Sequence, residues 1–323
     1  MTIHNQISEL MTYLNAEVIG QEVLVHRMMI ALLADGHLLV EGAPGLAKTR
    51  AVKALGSGIQ GSFHRIQFTP DLLPADVTGT DIYHPEDGSF QFASGPIFHN
   101  LILADEVNRA PAKVQSALLE AMGEHQVTVG AYSYELPKLF LVMATQNPIE
   151  QEGTYPLPEA QLDRFMLHVN VGYPDKAASR QILQLARREA METLTDTAHA
   201  GIEPVSQETI FAARREVLQV FLSEGVEEYI LEIVETTRDP ARYSEEIAPW
   251  LRWGASPRGA IAIEQAARAT AWLAGRDFIT PEDVRSVSAD ALRHRILLDY
   301  AAEAEGITTQ DCIEAILNLV PTP

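Results

Sequence analysis

Residues 42–49 read Gly42-Ala43-Pro44-Gly45-Leu46-Ala47-Lys48-Thr49 and stand between a short apolar run and a helical pattern. In a loop of this composition, consecutive backbone N–H groups can point at phosphate oxygens, and the positive end of the following helix adds to the attraction. Lys48 would bridge the β- and γ-phosphates as a mobile charge, and the Thr49 hydroxyl would take one position on Mg²⁺. The loop predicts ATP binding. The alternative is a Gly/Pro turn with an ordinary surface lysine.

Ala47 departs from the general loop pattern, in which a glycine precedes the lysine. We expect Ala47 to lie at the start of the helix in the right-handed conformation, where alanine forms helix better than glycine. A single methyl group should therefore be tolerated at this position.

Polar residues follow two later strand patterns. Residues 101–104 are apolar and are followed by Asp105 and Glu106, and residues 139–145 are followed closely by Asn147. Because ligands of open α/β sheets bind at the carboxyl ends of the strands, these side chains should lie near the phosphates. Asp105 would hold Mg²⁺ through a water, Glu106 would accept a proton from the attacking water, and Asn147 would orient that water. Taken alone, each motif also fits a solvated turn.

Strand patterns alternate with helical patterns in the first half of the chain. The strand patterns span residues 38–41, 63–68, 101–104, 139–145 and 165–171. This alternation predicts an α/β fold with a five-stranded parallel sheet between helices. After residue 174 the helix signals dominate, for example at the capping sequence Thr280-Pro281-Glu282-Asp283. We therefore predict a nucleotide-binding αβα core over residues 1–174 and an all-α lid domain over residues 175–323.

Two insertions interrupt the sheet pattern of the core. Alternating residues flank Asp87-Gly88 in the first insertion and Gly130-Ala131 in the second, which predicts two β-hairpins. We expect protein partners to bind there. The alternative is that the hairpin aromatics, Tyr83, Phe90, Tyr132 and Tyr134, only pack the hairpins onto the core.

Composition limits the classes of function. The net charge is −20, from 44 acidic against 24 basic residues, which disfavours nucleic acid as a partner because its binding takes clustered Lys and Arg. The short basic runs 187–188, 214–215 and 293–295 are predicted to be solvated helix faces. We predict no membrane span and a cytoplasmic location, because apolar runs are short and residues 1–10 do not read as a signal peptide. The single cysteine, Cys312, is predicted to be core.

These motifs, in this order, resemble the AAA+ ATPases and, within them, the MoxR family. The resemblance rests on residues 42–49, 105–111, 144–148, 153–165 and 256–258, and it extends from about residue 18 to about residue 295. It implies a P-loop NTPase that binds ATP and Mg²⁺ and assembles into a homo-oligomeric ring, usually a hexamer. It also implies a chaperone that remodels or matures protein complexes, often with partners that carry a von Willebrand factor A domain. Ala47 is normal for this family.

The resemblance assigns four further residues to the nucleotide. Ile19 and Gly20 would pack on the adenine, where the glycine allows close approach. Arg164 looks like the arginine finger that is supplied to the neighbouring subunit, since a guanidinium stays charged and fits phosphate geometry. Arg258 resembles the second sensor, which contacts the γ-phosphate of its own subunit.

Two arginines have structural alternatives. Arg164 could be a cap or surface residue that pairs with Asp163. Arg109 could either bind across the ring interface or form a structural ion pair. Three functions also stay open: a MoxR-type ATPase chaperone, the motor subunit of a metal chelatase, and, disfavoured by charge, a nucleic-acid motor or loader.

Overall fold

The central sheet brings three loops to one edge. In the computed structural model, which describes residues 2–148, 153–195 and 202–323, five strands form this sheet in the order β2-β5-β8-β1-β9. The strands of the chain are β1 (Leu38–Glu41), β2 (Phe63–Gln67), β3 (Gly79–His84), β4 (Ser89–Ser94), β5 (Leu101–Asp105), β6 (Gln126–Val129), β7 (Tyr132–Glu135), β8 (Leu141–Gln146), β9 (Leu167–Asn170), β10 (Leu251–Trp253) and β11 (Leu297–Leu298). The predicted α/β fold is confirmed.

The central strands pair in parallel, and their burial agrees with their apolar composition. β5 pairs in parallel with β2 on one side and with β8 on the other. The apolar residues of β5 and β8 are buried, as a parallel strand covered on both faces requires. The backbone N–H of Gly42 donates to the carbonyl oxygen of Gln146 at 3.3 Å. The loop after β1 therefore lies beside the carboxyl end of β8.

Helices make up most of the remaining structure. They are α1 (Ile3–Glu17), α2 (Glu22–Leu33), α3 (Lys48–Gly58), α4 (Pro74–Thr78), α5 (Ala112–Glu124), α6 (Glu159–Leu162), α7 (Lys176–Thr195), α8 (Gln207–Gln219), α9 (Glu224–Arg238), α10 (Pro257–Leu273), α11 (Pro281–Leu292), α12 (Tyr300–Ala304) and α13 (Thr309–Leu319). Within the described ranges, no helix has both the length and the apolar character needed to cross a membrane.

The chain divides into two compact units. The first comprises residues 1–29, 39–156 and 169–210, and the second comprises residues 30–38, 157–168 and 211–323. The helical prediction for the C-terminal region is confirmed, and the structure adds a short antiparallel pairing of β10 with β11. The domain boundary after residue 174 stays a prediction.

Local sequence signals explain the helices of the second unit. The Thr280 hydroxyl accepts from the backbone of Asp283, whose carboxylate accepts in turn from the backbone of Thr280, so α11 begins with a capping box. Cys312 is fully buried in α13, as predicted. Burial raises the pKa of its thiol to about 12, which makes it a small core residue rather than a nucleophile.

Both insertions form hairpins in the first unit. β3 pairs with β4 and β6 pairs with β7, each antiparallel. Phe92 of the first hairpin stacks on Tyr134 of the second with ring centroids 3.8 Å apart. Three other aromatics, Tyr83, Phe90 and Tyr132, are exposed. Tyr134 therefore packs the two hairpins against each other, whereas the other three residues leave aromatic surface exposed.

The prediction for the backbone of Ala47 was wrong. Its φ is 60° and its ψ is 13°, which is the left-handed region, and α3 begins one residue later at Lys48. For an L-residue this conformation costs about 1–2 kcal/mol, which explains why glycine is the general choice. The loop adopts it because the turn must reverse before the helix can start.

Candidate functional site

Three separately predicted motifs line one cavity of about 410 Å³ in the first unit. The predicted residues that line it are Pro44, Gly45, Leu46, Ala47, Lys48, Thr49, Asp105, Glu106 and Asn147. A larger cavity of about 530 Å³ lies in the second unit, but it contains none of the predicted site residues and is lined by many apolar side chains. The smaller cavity is therefore the candidate nucleotide site, because its polar groups converge.

The loop after β1 holds its own lysine. The Lys48 Nζ donates to the carbonyl oxygen of Gly42. Burial lowers the pKa of Lys48, while the charges of Asp105, Glu106 and Glu41 raise it. A β-carbon at Gly42 would lie only 2.7 Å from the carbonyl oxygen of Val171, so glycine is required there. Gly42 and Ala43 thus support the loop, whereas the residues from Pro44 onward face the cavity.

Asp105 ends β5 with both carboxylate oxygens engaged. The Thr145 hydroxyl donates to Oδ1 at 2.6 Å, and Arg65 donates to Oδ2 through Nε at 3.0 Å and through Nη2 at 2.6 Å. Thr145 also accepts from the backbone N–H of Glu106 at 2.9 Å. β8 therefore fixes the orientation of both acidic residues at the end of β5.

The side chains at this edge of the sheet include oxygen atoms of the kind that bind metal ions. The guanidinium of Arg65 already lies on the Asp105 carboxylate, which is 14% exposed, and both residues line the same cavity as the Thr49 hydroxyl. A carboxylate and a hydroxyl are oxygen ligands of the kind that Mg²⁺ takes together with phosphates and waters. Thr49 and Asp105 therefore fit the predicted metal.

Glu106 has an unusual backbone and two neighbours. Its φ is 56° and its ψ is 50°, in the left-handed region. The Gln67 Nε2 donates to its Oε2 at 2.9 Å, and the Arg109 Nε lies 3.1 Å from the same oxygen. Residues held in such a conformation cluster at active sites, because the surrounding structure must enforce it. Within the chain, the structure gives Arg109 the ion pair that was one of its two predicted roles.

The predicted adenine segment lies in the first unit but does not line this cavity. Gly20 has a φ of 75°, and a β-carbon there would lie 2.8 Å from that of Ala178. The Gln21 Nε2 donates to the carbonyl oxygen of Gly172 at 3.0 Å. The residues around Ile19 and Gly20 are therefore packed against the segment that enters α7.

Arg50 connects this segment to the phosphate loop. It follows Thr49 in α3, and its Nη2 lies 2.8 Å from Oε2 of Glu17 in α1 and 2.5 Å from Oε1 of Glu189 in α7. Three helices of the first unit are thus joined through one guanidinium, directly beside the site.

The two other predicted arginines, Arg164 and Arg258, lie in the second unit. Asp163, next to Arg164, pairs with Arg295, and Nε and Oδ1 are 2.7 Å apart. The other oxygen of Asp163 accepts from Ser256 at 2.9 Å. Ser256 is the N-cap of α10 and accepts from the backbone N–H of Arg258. The carboxylate of Asp163 therefore lies beside Arg164 and also contacts Ser256, the residue at which the helix that carries Arg258 begins.

The prediction of solvated helix faces was wrong for Arg214, whose side chain is only 11% exposed, and for residues 293–295. Arg295 is 3% exposed and donates to the carbonyl oxygens of Phe165 at 2.7 Å and Met166 at 3.1 Å. His294 Nε2 lies 2.9 Å from the carbonyl oxygen of Phe165, and Arg293 donates to that of His168. Burial, together with the charges of Arg295 and His168, lowers the pKa of His294 well below its usual value. This run therefore holds the backbone that follows Arg164.

Sequence reasoning assigned no role to Arg65 and Thr145, which line this cavity, or to Gln67 and Gln115, which do not. Gln115 is fully buried and donates to the carbonyl oxygens of Ala110 and Tyr155, each at 3.1 Å. One signal was available for two of them. Arg65 and Gln67 flank the buried Ile66 on β2, so alternation places both on the more exposed face.

Family models match both regions of the chain. The model described as "ATPase family associated with various cellular activities (AAA)" matches residues 37–167, and the model described as "AAA lid domain" matches residues 245–316. The first match contains the phosphate loop and the end of β5. The second contains Arg258 and the run 293–295.

Individual proteins resemble almost the whole chain. Chaperone MoxR1 of Mycobacterium tuberculosis is 43% identical over 307 residues, which cover 95% of this chain and 79% of that protein. The uncharacterized protein YeaC of Bacillus subtilis is 42% identical over 323 residues, 99% of this chain and 96% of that one. A crystal structure of a protein assigned as an ATPase, from Cytophaga hutchinsonii, superimposes with a TM-score of 0.91 at 47% identity and covers 99% of this chain and 96% of that chain. The chain therefore belongs to the MoxR family of AAA+ ATPases.

Proposed function

We propose that this protein is a Mg²⁺-dependent ATPase that converts ATP and water to ADP and phosphate, and that it uses this reaction to remodel, mature or activate protein complexes in the cytoplasm. The observation that supports the ATPase is the convergence of Lys48, Thr49, Asp105, Glu106 and Asn147 on one cavity. The chaperone role rests on membership of the MoxR family, which includes Chaperone MoxR1.

The phosphate-binding part of the proposal uses the loop and its lysine. Backbone N–H groups of residues 44–49 and the start of α3 would hold the phosphates of the substrate. Lys48 would leave the Gly42 carbonyl oxygen for the β- and γ-phosphates, which offer a stronger acceptor. Thr49 and Asp105 would hold Mg²⁺, which when bound neutralises charge on the phosphate oxygens.

The hydrolytic part uses Glu106 and Asn147. Glu106 would accept a proton from the attacking water, and it lies directly after the proposed metal ligand. Its contacts with Gln67 and Arg109 keep the side chain oriented. Asn147 is buried at the same edge and would position the water through its amide without competing for the proton.

The assembly part of the proposal is a ring, with a hexamer as the expected form. Arg164 would supply its guanidinium to the nucleotide of the neighbouring subunit, and Arg258 would contact the γ-phosphate of its own. Ile19 and Gly20 would contact the adenine. Support for Arg164 comes from the buried network around Asp163 and Arg295, which orders the turn that carries it.

The proposed partner is a client or adaptor protein with a von Willebrand factor A domain, and the exposed aromatic residues of the two hairpins are the proposed contact. The variant Glu106→Gln should bind ATP but hydrolyse it slowly, so it should hold its partner. We would express it in its native cells, recover it with ATP and Mg²⁺, and identify the retained proteins by mass spectrometry. The matched control is Lys48→Ala recovered in the same way, which should retain no ATP-dependent partner.

The identity of what is retained decides among the functions. A protein with a von Willebrand factor A domain, present with Glu106→Gln and absent with Lys48→Ala, is the expected result. Recovery of a large chelatase subunit would replace the chaperone role with that of a chelatase motor. Recovery of nucleic acid, together with stimulation of the ATPase by DNA or RNA at moderate salt, would replace it with a nucleic-acid motor.

A further inference from the structure

Arg65 lies on the carboxylate that is proposed to hold the metal ion. β2 and β5 run in parallel, with Gln67 opposite Asp105. Because side chains alternate along a strand, Arg65 shares the face of Gln67 and reaches Asp105 diagonally. Its Nε and Nη2 both contact Oδ2, at 3.0 and 2.6 Å. Arg65 was assigned no role in the proposed reaction.

The two residues that contact Asp105, Thr145 and Arg65, differ in how exposed they are. Thr145 donates to Oδ1 and is 1% exposed, so this contact can persist whatever enters the cavity. The Arg65 side chain is 49% exposed and lines the cavity itself. A divalent cation held by Asp105, directly or through a water, would lie close to this guanidinium, and two cations repel each other. The metal and Arg65 therefore compete for one carboxylate.

The same guanidinium nitrogen is connected to Glu106, the second acidic residue, through Gln67. Arg65 Nη2, which contacts Asp105, also donates to Oε1 of Gln67 at 2.9 Å. Gln67 Nε2 donates to Oε2 of Glu106 at 2.9 Å. Arg65 therefore contacts both the proposed metal ligand and the amide that donates to Glu106. A change at the proposed metal ligand would reach the proposed base through two hydrogen bonds.

We propose that Arg65 is the resident counter-ion of Asp105 that a divalent metal must displace, and that this competition sets the Mg²⁺ concentration at which nucleotide binds tightly. Arg65 is thus a positioning residue that acts through Asp105. The inference rests on the proposed function only in taking Asp105 as a metal ligand.

The test measures metal-dependent binding rather than turnover. We would follow the binding of a fluorescent N-methylanthraniloyl ADP to the full chain in EDTA and at a series of buffered free Mg²⁺ concentrations. In the wild type, Mg²⁺ should raise the affinity for ADP with a definite half-effect concentration. In Arg65→Gln this concentration should fall about fivefold, because the competing ion pair is lost. ADP is used so that hydrolysis does not enter the measurement.

Two further variants keep the test specific. Arg65→Lys keeps the charge but loses the two-donor fork, so its half-effect concentration should lie between those of the wild type and Arg65→Gln. Arg109→Gln removes an equal charge from the neighbouring Glu106 rather than from Asp105. Its half-effect concentration should stay within about twofold of the wild-type value, because screening weakens a charge effect that is not made through contact.

The outcomes separate the inference from the proposed function. If ADP binds to all variants but the half-effect concentration in Arg65→Gln is unchanged or raised, Arg65 does not compete with the metal and the inference is wrong. If Arg109→Gln lowers it as much as Arg65→Gln, the effect is general electrostatics, and the inference is again wrong. If no variant and no wild-type protein binds ADP, the nucleotide site itself is wrong, and the proposed function fails with it.

Discussion

At the scale of single residues, the site contains two non-glycine residues with left-handed backbones, Ala47 and Glu106. One stands directly before the proposed phosphate-binding lysine, and the other is the proposed base. Such conformations cost about 1–2 kcal/mol each for L-residues. Two of the four non-glycine residues with positive φ in the described part of the chain therefore lie at this cavity, and such strained residues cluster at functional sites.

Alanine usually gives a more stable variant than glycine, and this strain predicts the opposite order of stability at position 106. Glu106→Ala and Glu106→Gly remove the same side-chain contacts, but only glycine adopts a φ of 56° without strain. The glycine variant should be more stable than the alanine variant by about 1 kcal/mol, measured by thermal or urea unfolding. The control is Lys53 on the exposed face of α3, where Lys53→Gly should be less stable than Lys53→Ala by about the same amount. If the alanine variant is the more stable one at position 106 as well as at position 53, Glu106 is not strained.

Residue identities alone predicted only part of the site. Lys48, Thr49, Asp105 and Glu106 follow from local motifs, because each motif contains its own chemistry. The partners Arg65 and Thr145 lie 40 positions from Asp105 in either direction, so only the pairing of β2, β5 and β8 reveals them. The prediction for Ala47 failed because the loop pattern does not state where the helix begins.

At the scale of elements, the strands were predictable and the buried charges were not. Apolar runs predicted the strands of the central sheet, because burial on both faces leaves a continuous signal. A basic run such as 293–295 has the same composition whether it is solvated or buried. It is buried here because the carbonyl oxygens of residues 163–168 accept its donors, which local sequence does not show.

The buried arginine of that run supports a prediction about the turn that carries Arg164. Arg295→Met removes the partner of Asp163 and leaves a largely buried carboxylate, so the second unit should be destabilised by about 3–5 kcal/mol. Thermal unfolding followed by circular dichroism measures the loss. Arg252→Met, at an exposed arginine of the same unit that lies over the Tyr300 ring, is the matched control and should cost less than about 1 kcal/mol. If both variants unfold at similar temperatures, the hydrogen bonds and ion pair around Asp163 contribute little to stability.

At the scale of the whole molecule, family membership, fold and charge agree. Family models match regions in both halves of the chain, and relatives match it almost end to end. The net charge of −20 disfavours a nucleic-acid track. We propose the ring, the metal and the partner, and all three depend on one claim. The claim is that the cavity after β1 hydrolyses ATP with help from a neighbouring subunit.

The most direct test of that claim is phosphate release from ATP by the wild type, by Lys48→Ala, by Arg164→Ala and by a mixture of the two variants assembled together. The wild type should hydrolyse ATP only with Mg²⁺. Each variant alone should be at least about 100-fold slower, because one lacks the phosphate-binding lysine and the other lacks the finger. The mixture should regain part of the activity, because some interfaces then combine an intact Lys48 with an intact Arg164. Wild-type turnover by Lys48→Ala would contradict the nucleotide site, and a mixture with no recovered activity at any ratio would contradict a site shared between subunits.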